Sequence, residues 1–96
     1  MKVIMQVDVI IRKEDLIKSL RKELDTELYP APGMVIQDSA FGIAQTPVLV
    51  CCDFDRNCYF IEIPSIYFDT EANWKSEEEG YRIRGWKELN GNRSKV

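Results

Sequence analysis

The apolar positions of this chain change period as it runs. Val3, Met5, Val7, Val9 and Ile11 alternate with Ile4, Gln6, Asp8, Ile10 and Arg12. A period of two over that length predicts a strand with one apolar and one mixed face, because successive strand side chains point to opposite sides. The spacing then lengthens. Leu16, Ile17, Leu20, Leu24 and Leu28 fall three or four apart, with Lys18, Arg21, Lys22 and Asp25 between them. That pattern predicts an amphipathic helix from Glu14 to Glu27. Glu14 and Asp15 suit its first turn, where negative charge complements the helix dipole. Pro30-Ala31-Pro32-Gly33 ends it.

The stretch Val48–Ile63, VLVCCDFDRNCYFIEI, has strand-forming runs on both sides of the polar break Asp55-Arg56-Asn57, the mark of a β-hairpin. A two-residue turn at Arg56-Asn57 would set Phe54 against Tyr59, Cys52 against Ile61 and Val50 against Ile63, giving one wholly apolar side. Arg-Asn is a poor tight turn, so a longer loop is the alternative. Before the hairpin, Met34–Asp38 reads as a short strand and Ser39–Pro47 as a loop carrying Phe41 and Ile43. Pro64 closes the second hairpin strand, unless Ile66, Tyr67 and Phe68 extend it past a bulge.

Asp69 reads as the N-cap of a helix over Thr70–Glu79 with Gly80 at its end. Tyr81-Arg82-Ile83-Arg84-Gly85-Trp86 alternates and predicts a final strand; the competing reading continues the helix to Arg84 and caps it with Gly85. The expected fold is therefore α+β, a two-layer sandwich. It has a mostly antiparallel sheet, two helices on one face, and the ferredoxin-like βαββαβ order with an insertion at 30–47. Residues 1–89 form the single domain and 90–96 a polar tail.

Composition adds limits. Ninety-six residues bury one core. No apolar run approaches the ~20 residues needed to cross a bilayer. Gln6 and Asp8 interrupt any signal-peptide core, so the expectation is a cytoplasmic, soluble chain. The net charge of −3 argues weakly against nucleic acid or anionic membranes. Its distribution is uneven: Asp69, Glu71, Glu77, Glu78 and Glu79 run into Arg82, Arg84, Lys87, Arg93 and Lys95. The three cysteines are an odd number, and Cys51 and Cys52 are neighbours on opposite faces of a strand, so reduced thiols are expected.

The candidate chemistry is thin. There is no histidine, which removes the commonest general base, the commonest zinc ligand and the usual triads. No Gly-rich phosphate loop occurs. Cys51, Cys52 and Cys58 lack the paired knuckles of a zinc site and read as strand hydrophobes. Asp53-Phe54-Asp55-Arg56-Asn57 copies the start of a calcium loop, but Cys58 stands where Gly is required and Pro64 where Glu is. Asp53 and Glu62 form a carboxylate pair across the hairpin with no sign of a cleft around them. The aromatics Phe54, Tyr59, Phe60, Tyr67 and Trp86 would suit base stacking, yet the RNA-recognition signature is absent.

The sequence thus predicts no catalytic residue, metal or cofactor. The expected role is a non-catalytic protein-interaction module acting through an open sheet face or as a homodimer. Its surface would use Phe41, Ile43, Tyr59, Tyr67, Arg82, Arg84 and Trp86. The alternatives are a single-stranded nucleic-acid binder using the 81–96 stretch, and a small enzyme using Asp, Glu or Cys. The expected partner is a protein or a second copy, with nucleic acid disfavoured, no membrane and no small molecule assigned.

Overall fold

A computed structural model describes residues 1–27, 30, 31, 33–89 and the backbone of 93 and 94. The centre of the fold is β1 (Lys2–Ile11), the alternating segment. Val3, Met5, Val7, Val9 and Ile11 are all buried, while Ile4, Gln6, Asp8 and Ile10 are half-buried on the other side. Two strands flank it. β2 (Leu16–Asp25) pairs antiparallel along its whole length, from Lys2 opposite Asp25 to Ile11 opposite Leu16. β4 (Cys58–Phe68) pairs parallel on the other side. β3 (Leu49–Asp53) adds antiparallel outside β4. The short β5 (Lys87–Glu88) and β6 (Arg93–Ser94) both pair with β2. The six-stranded sheet is mixed, in the order β3-β4-β1-β2-β5, with β6 beside β2.

This corrects the ferredoxin-like plan with two helices. The expected helix at 14–27 is β2. Its spacing hid a period of two: Leu16, Lys18, Leu20, Lys22 and Leu24 share one face, and that face looks into the core. Two lysines at inward positions break the apolar alternation, and each has a local reason to be there. Lys18 is buried, with Nζ 3.8 Å from Glu71 and 3.9 Å from Glu88. Lys22 Nζ lies 2.6 Å from Asp38 Oδ2. Leu, Lys, Arg and Glu favour helices in isolation, but a long ladder against β1 overrides that preference. The parts of the expectation resting on Leu28 and Pro32 lie outside the described residues, as do residues 90–92, 95 and 96 of the polar tail.

The hairpin at 48–63 is present with its register moved by two residues. Asp53 faces Cys58, Cys52 faces Tyr59 and Val50 faces Ile61, so the loop is Phe54–Asn57. Val50, Cys52, Tyr59 and Ile61 still share a side, but Phe54, expected opposite Tyr59, leaves it for the loop. Asn57 closes that loop at φ 52, and Asp15 closes the β1–β2 loop at φ 55, the left-handed region that Asn and Asp tolerate best. Pro64 does not end the strand. The register shifts between Val7 and Val9, where Ile63 and Ile66 are the successive partners, so Pro64 and Ser65 form a bulge.

Among the described residues there is a single helix, α1 (Glu71–Ile83). Its N-cap is Thr70, not Asp69: the Thr70 hydroxyl accepts from the Asn73 amide at 3.2 Å. The helix runs on through 81–83, which were expected as strand, and Gly85 at φ +94 turns the chain out. No residue of the expected strand at 81–86 joins the sheet; the ladder contacts after α1 are β5 and β6. Met34–Asp38 is not a strand; only Ile36 bridges to Gln45.

α1 and the β2–β3 connection cover one face of the sheet. Trp74 is 0% exposed and Trp86 1%, and Ile36, Ala40 and Phe41 of the connection pack against the same core. A row of rings crosses this side. Phe68 meets Trp74 at 5.4 Å, Trp74 meets Tyr81 at 5.6 Å, and Phe41 meets Trp86 at 5.5 Å. Asp38 ties the connection down. Its carboxylate accepts from Lys22 at 2.6 Å, the Ala40 amide at 2.9 Å and the Trp86 indole at 3.3 Å. Burial pushes this carboxyl up, but the three hydrogen bonds and the Lys22 charge outweigh it, and it sits below the usual carboxylate range.

Candidate functional site

The opposite face carries no described helix or connection. It is built from the second phase of each strand, and the register states who sits beside whom. Ile10 lies between Ile17 and Tyr67, Gln6 between Arg21 and Glu62, and Ile4 between Glu23 and Phe60. Asp8 lies beside Ser19. In β3, Leu49 stands opposite Glu62 and Cys51 opposite Phe60, so both belong to this face as well.

Three zones result. At the end near residues 12–15, Ile10, Ile17 and Tyr67 form an apolar group, and the Arg12 guanidinium lies 4.7 Å from the Tyr67 ring centre. That is cation–π distance, and it lets the arginine shield an aromatic face without burying its charge. The middle is a polar band with two side-chain hydrogen bonds across β1 and β2. The Ser19 hydroxyl donates to Asp8 at 2.7 Å, and Arg21 Nη2 donates to Gln6 at 2.9 Å. At the far end Ile4, Phe60, Leu49 and Cys51 make a second apolar group, with the Lys2–Glu23 pair at 3.4 Å beside it. Arg21 Nε is the one buried side-chain atom in the band that has no hydrogen-bond partner among the described residues. A band whose side chains bond mainly to one another, set between two apolar groups, suits surface association, because the apolar groups gain from being covered.

Among the described residues the carboxylates and thiols singled out by sequence do not gather in one place. No group of three or more His, Cys, Asp or Glu side chains that could hold a metal occurs among the described residues. Asp53 and Glu62 do not face each other: Asp53 stands opposite Cys58 and caps its own loop, accepting from the amides of Asp55 at 3.1 Å and Arg56 at 3.2 Å. Cys51 and Cys52 are exposed, and Cys58 is buried. A groove of about 480 Å³ on the helix side lies between the sheet and Pro30 with residues 34–38, with Val3, Met5, Leu24, Met34 and Ile36 in its walls. Its charged groups, Lys22 and Asp38, are bonded to each other.

The residues expected to make an interaction surface are split between the two sides. Trp86 is in the core, and Phe41 and Tyr59 pack against it. Ile43 is 76% exposed on the connection, on its own. Arg82 and Arg84 stand on the outer side of α1; Arg82 pairs with Glu79 at 3.1 Å and Arg84 donates to the Gly80 carbonyl at 2.9 Å. Of the seven, Tyr67 alone lies on the open face. Ile17, Ser19 and Arg21 are the residues that sequence reasoning missed, because a helix at 14–27 would have placed them elsewhere. The signal that finds them is the alternation of 16–24, read with lysine allowed inside.

No helix among the described residues is long and apolar enough to cross a membrane. Comparison of the chain with family models, with curated proteins and with solved structures returned no match.

Proposed function

We propose that this chain is a non-catalytic protein-interaction module that works through the open face of its sheet. The observation that carries the reading is the division of that face into two apolar groups around a bonded polar band. Half-buried Ile10 and Ile17 and the 54%-exposed Tyr67 form the larger anchor, since a partner that covers them removes apolar surface from water at about 25 cal/mol per Å². The nucleic-acid alternative loses support because Trp86, its main stacking ring, is buried and Arg82 is engaged with Glu79. The enzyme alternative loses support because the described carboxylates and thiols do not converge.

The test is a substitution that leaves the core alone. The wild-type chain and Ile10→Lys would be used to capture proteins from the producing cell. A protein retained by wild type alone would then be identified, purified and titrated by calorimetry. The expected result is binding weakened about tenfold or more by Ile10→Lys, as for loss of a central anchor. Equal affinity for both forms would exclude the face.

A further inference from the structure

The two edges of the sheet differ. Outside β2 lie β5 and β6, so that edge is partly occupied. Outside β3 there is no strand among the described residues. An edge strand presents every second N–H and C=O unpaired, a template for another extended chain. Folded proteins blunt such edges with lysine, proline or a bulge. Leu49-Val50-Cys51-Cys52-Asp53 has no lysine and no proline, and it pairs with β4 in unbroken register. Exposed apolar residues gather at its two ends: Val48 is 62% exposed, Leu49 46% and Phe54 89%.

We propose that β3 is the interface between two copies of this chain, paired antiparallel about a two-fold axis at Cys51. The inference rests on the interaction-module reading and names the partner. A two-fold at Cys51 sets Cys51 against its own counterpart, Val50 against Cys52, Leu49 against Asp53 and Val48 against Phe54. This register brings the exposed apolar residues from the two ends of the edge together, Phe54 of one copy over Val48 of the other. It also keeps like charges apart. Asp53 is the one charged residue of the strand, it meets Leu49, and its carboxylate is already held by the amides of its own loop. The pairing is isologous, so it closes as a dimer and does not run on into a filament. Because antiparallel edge pairing puts the two-fold normal to the sheet, both open faces lie on the same side and the binding face doubles in width.

The experiment is light scattering on the full chain across a wide concentration range, in reductant so that thiol oxidation plays no part. Wild type is expected at twice the chain mass. Val48→Lys and Cys52→Lys, both at exposed positions on the side of the edge away from the open face, are expected at the single mass with unchanged circular dichroism. Should a lysine variant unfold, hydrogen exchange on wild type gives the second readout: β3 amides gain protection as concentration rises, while β1 amides do not change. A wild-type chain of single mass at every concentration overturns the proposal, and so does a dimer that survives both lysine variants. A dimer lost on Ile10→Lys but kept in the edge variants would move the contact to the face and overturn it too. A monomeric wild type leaves the open-face reading to its own titration test.

Discussion

At the scale of single residues, the charged groups on the core face explain most of what the pattern concealed. Lys18 and Lys22 stand at strand positions normally held by Val or Ile, and each is matched by a carboxylate that arrives from far along the chain: Glu71 and Glu88 for the first, Asp38 for the second. A linear reading sees the lysines but not the partners. Asp38 is the clearest case with an energetic consequence. Its folded pKa lies below the ordinary 3.8. The stability it contributes is therefore complete above that value and lost as pH falls through the lower folded value. Asp38→Asn keeps the shape and removes the charge. At neutral pH it should cost about 1.5–3 kcal/mol, the usual range for hydrogen bonds to a charged group. Below the folded pKa the variant and wild type should converge. Urea midpoints measured at neutral pH and again in strong acid check both statements.

At the scale of elements, legibility followed turn chemistry and failed on propensity. β1 was readable because no charged residue intrudes on its inward phase. The 48–63 hairpin was readable because polar loop residues separate two runs of β-branched and aromatic residues, although the loop length was not; Asn57 at the end of the loop, not Arg56-Asn57 as its centre, sets the register. Asp15 holds the same position in the β1–β2 loop, and that recurrence was the available clue that 12–15 is a turn. Asn57→Val should cost about 1–2 kcal/mol, because a β-branched side chain is crowded in the left-handed region. In a domain of this size that lowers Tm by roughly 4–16 °C. Asn57→Gly, which has no such crowding, should stay close to wild type. Thermal melts of the two variants side by side distinguish a backbone effect from loss of the side chain. The C-terminal end of α1 was the other ambiguity, and Gly85 at φ +94 decided it for the helix.

At the scale of the molecule, strand order was the part least available to inspection, because it depends on which distant segments pair. The parallel contact between β1 and β4 joins residues far apart in the chain and leaves no local trace in either. What the order implies is a gradient of stability, with β1 enclosed on both sides and β3 bounded on one. Under conditions where the chain is monomeric, β1 amides should be the slowest to exchange with deuterium and β3 amides the fastest of the long ladders. Mass spectrometry of short peptides across 2–11 and 48–54 measures it; equal rates would mean that the sheet opens as one unit. The open face was anticipated only through β1, since its other half was assigned to a helix. One further point follows from the extra residue at Pro64 and Ser65. Upstream of it the odd-numbered side chains of β4 look toward Trp74's side, and downstream the even-numbered ones do. That one-residue slip lets Phe68 reach the indole while Tyr67 emerges on the far side beside Ile10. Strict alternation over these same residues, with no bulge, would send the phenol inward and the phenyl ring out, so the open face owes its largest aromatic to a miscount; deleting Ser65 would remove the bulge and leave both rings on their present sides.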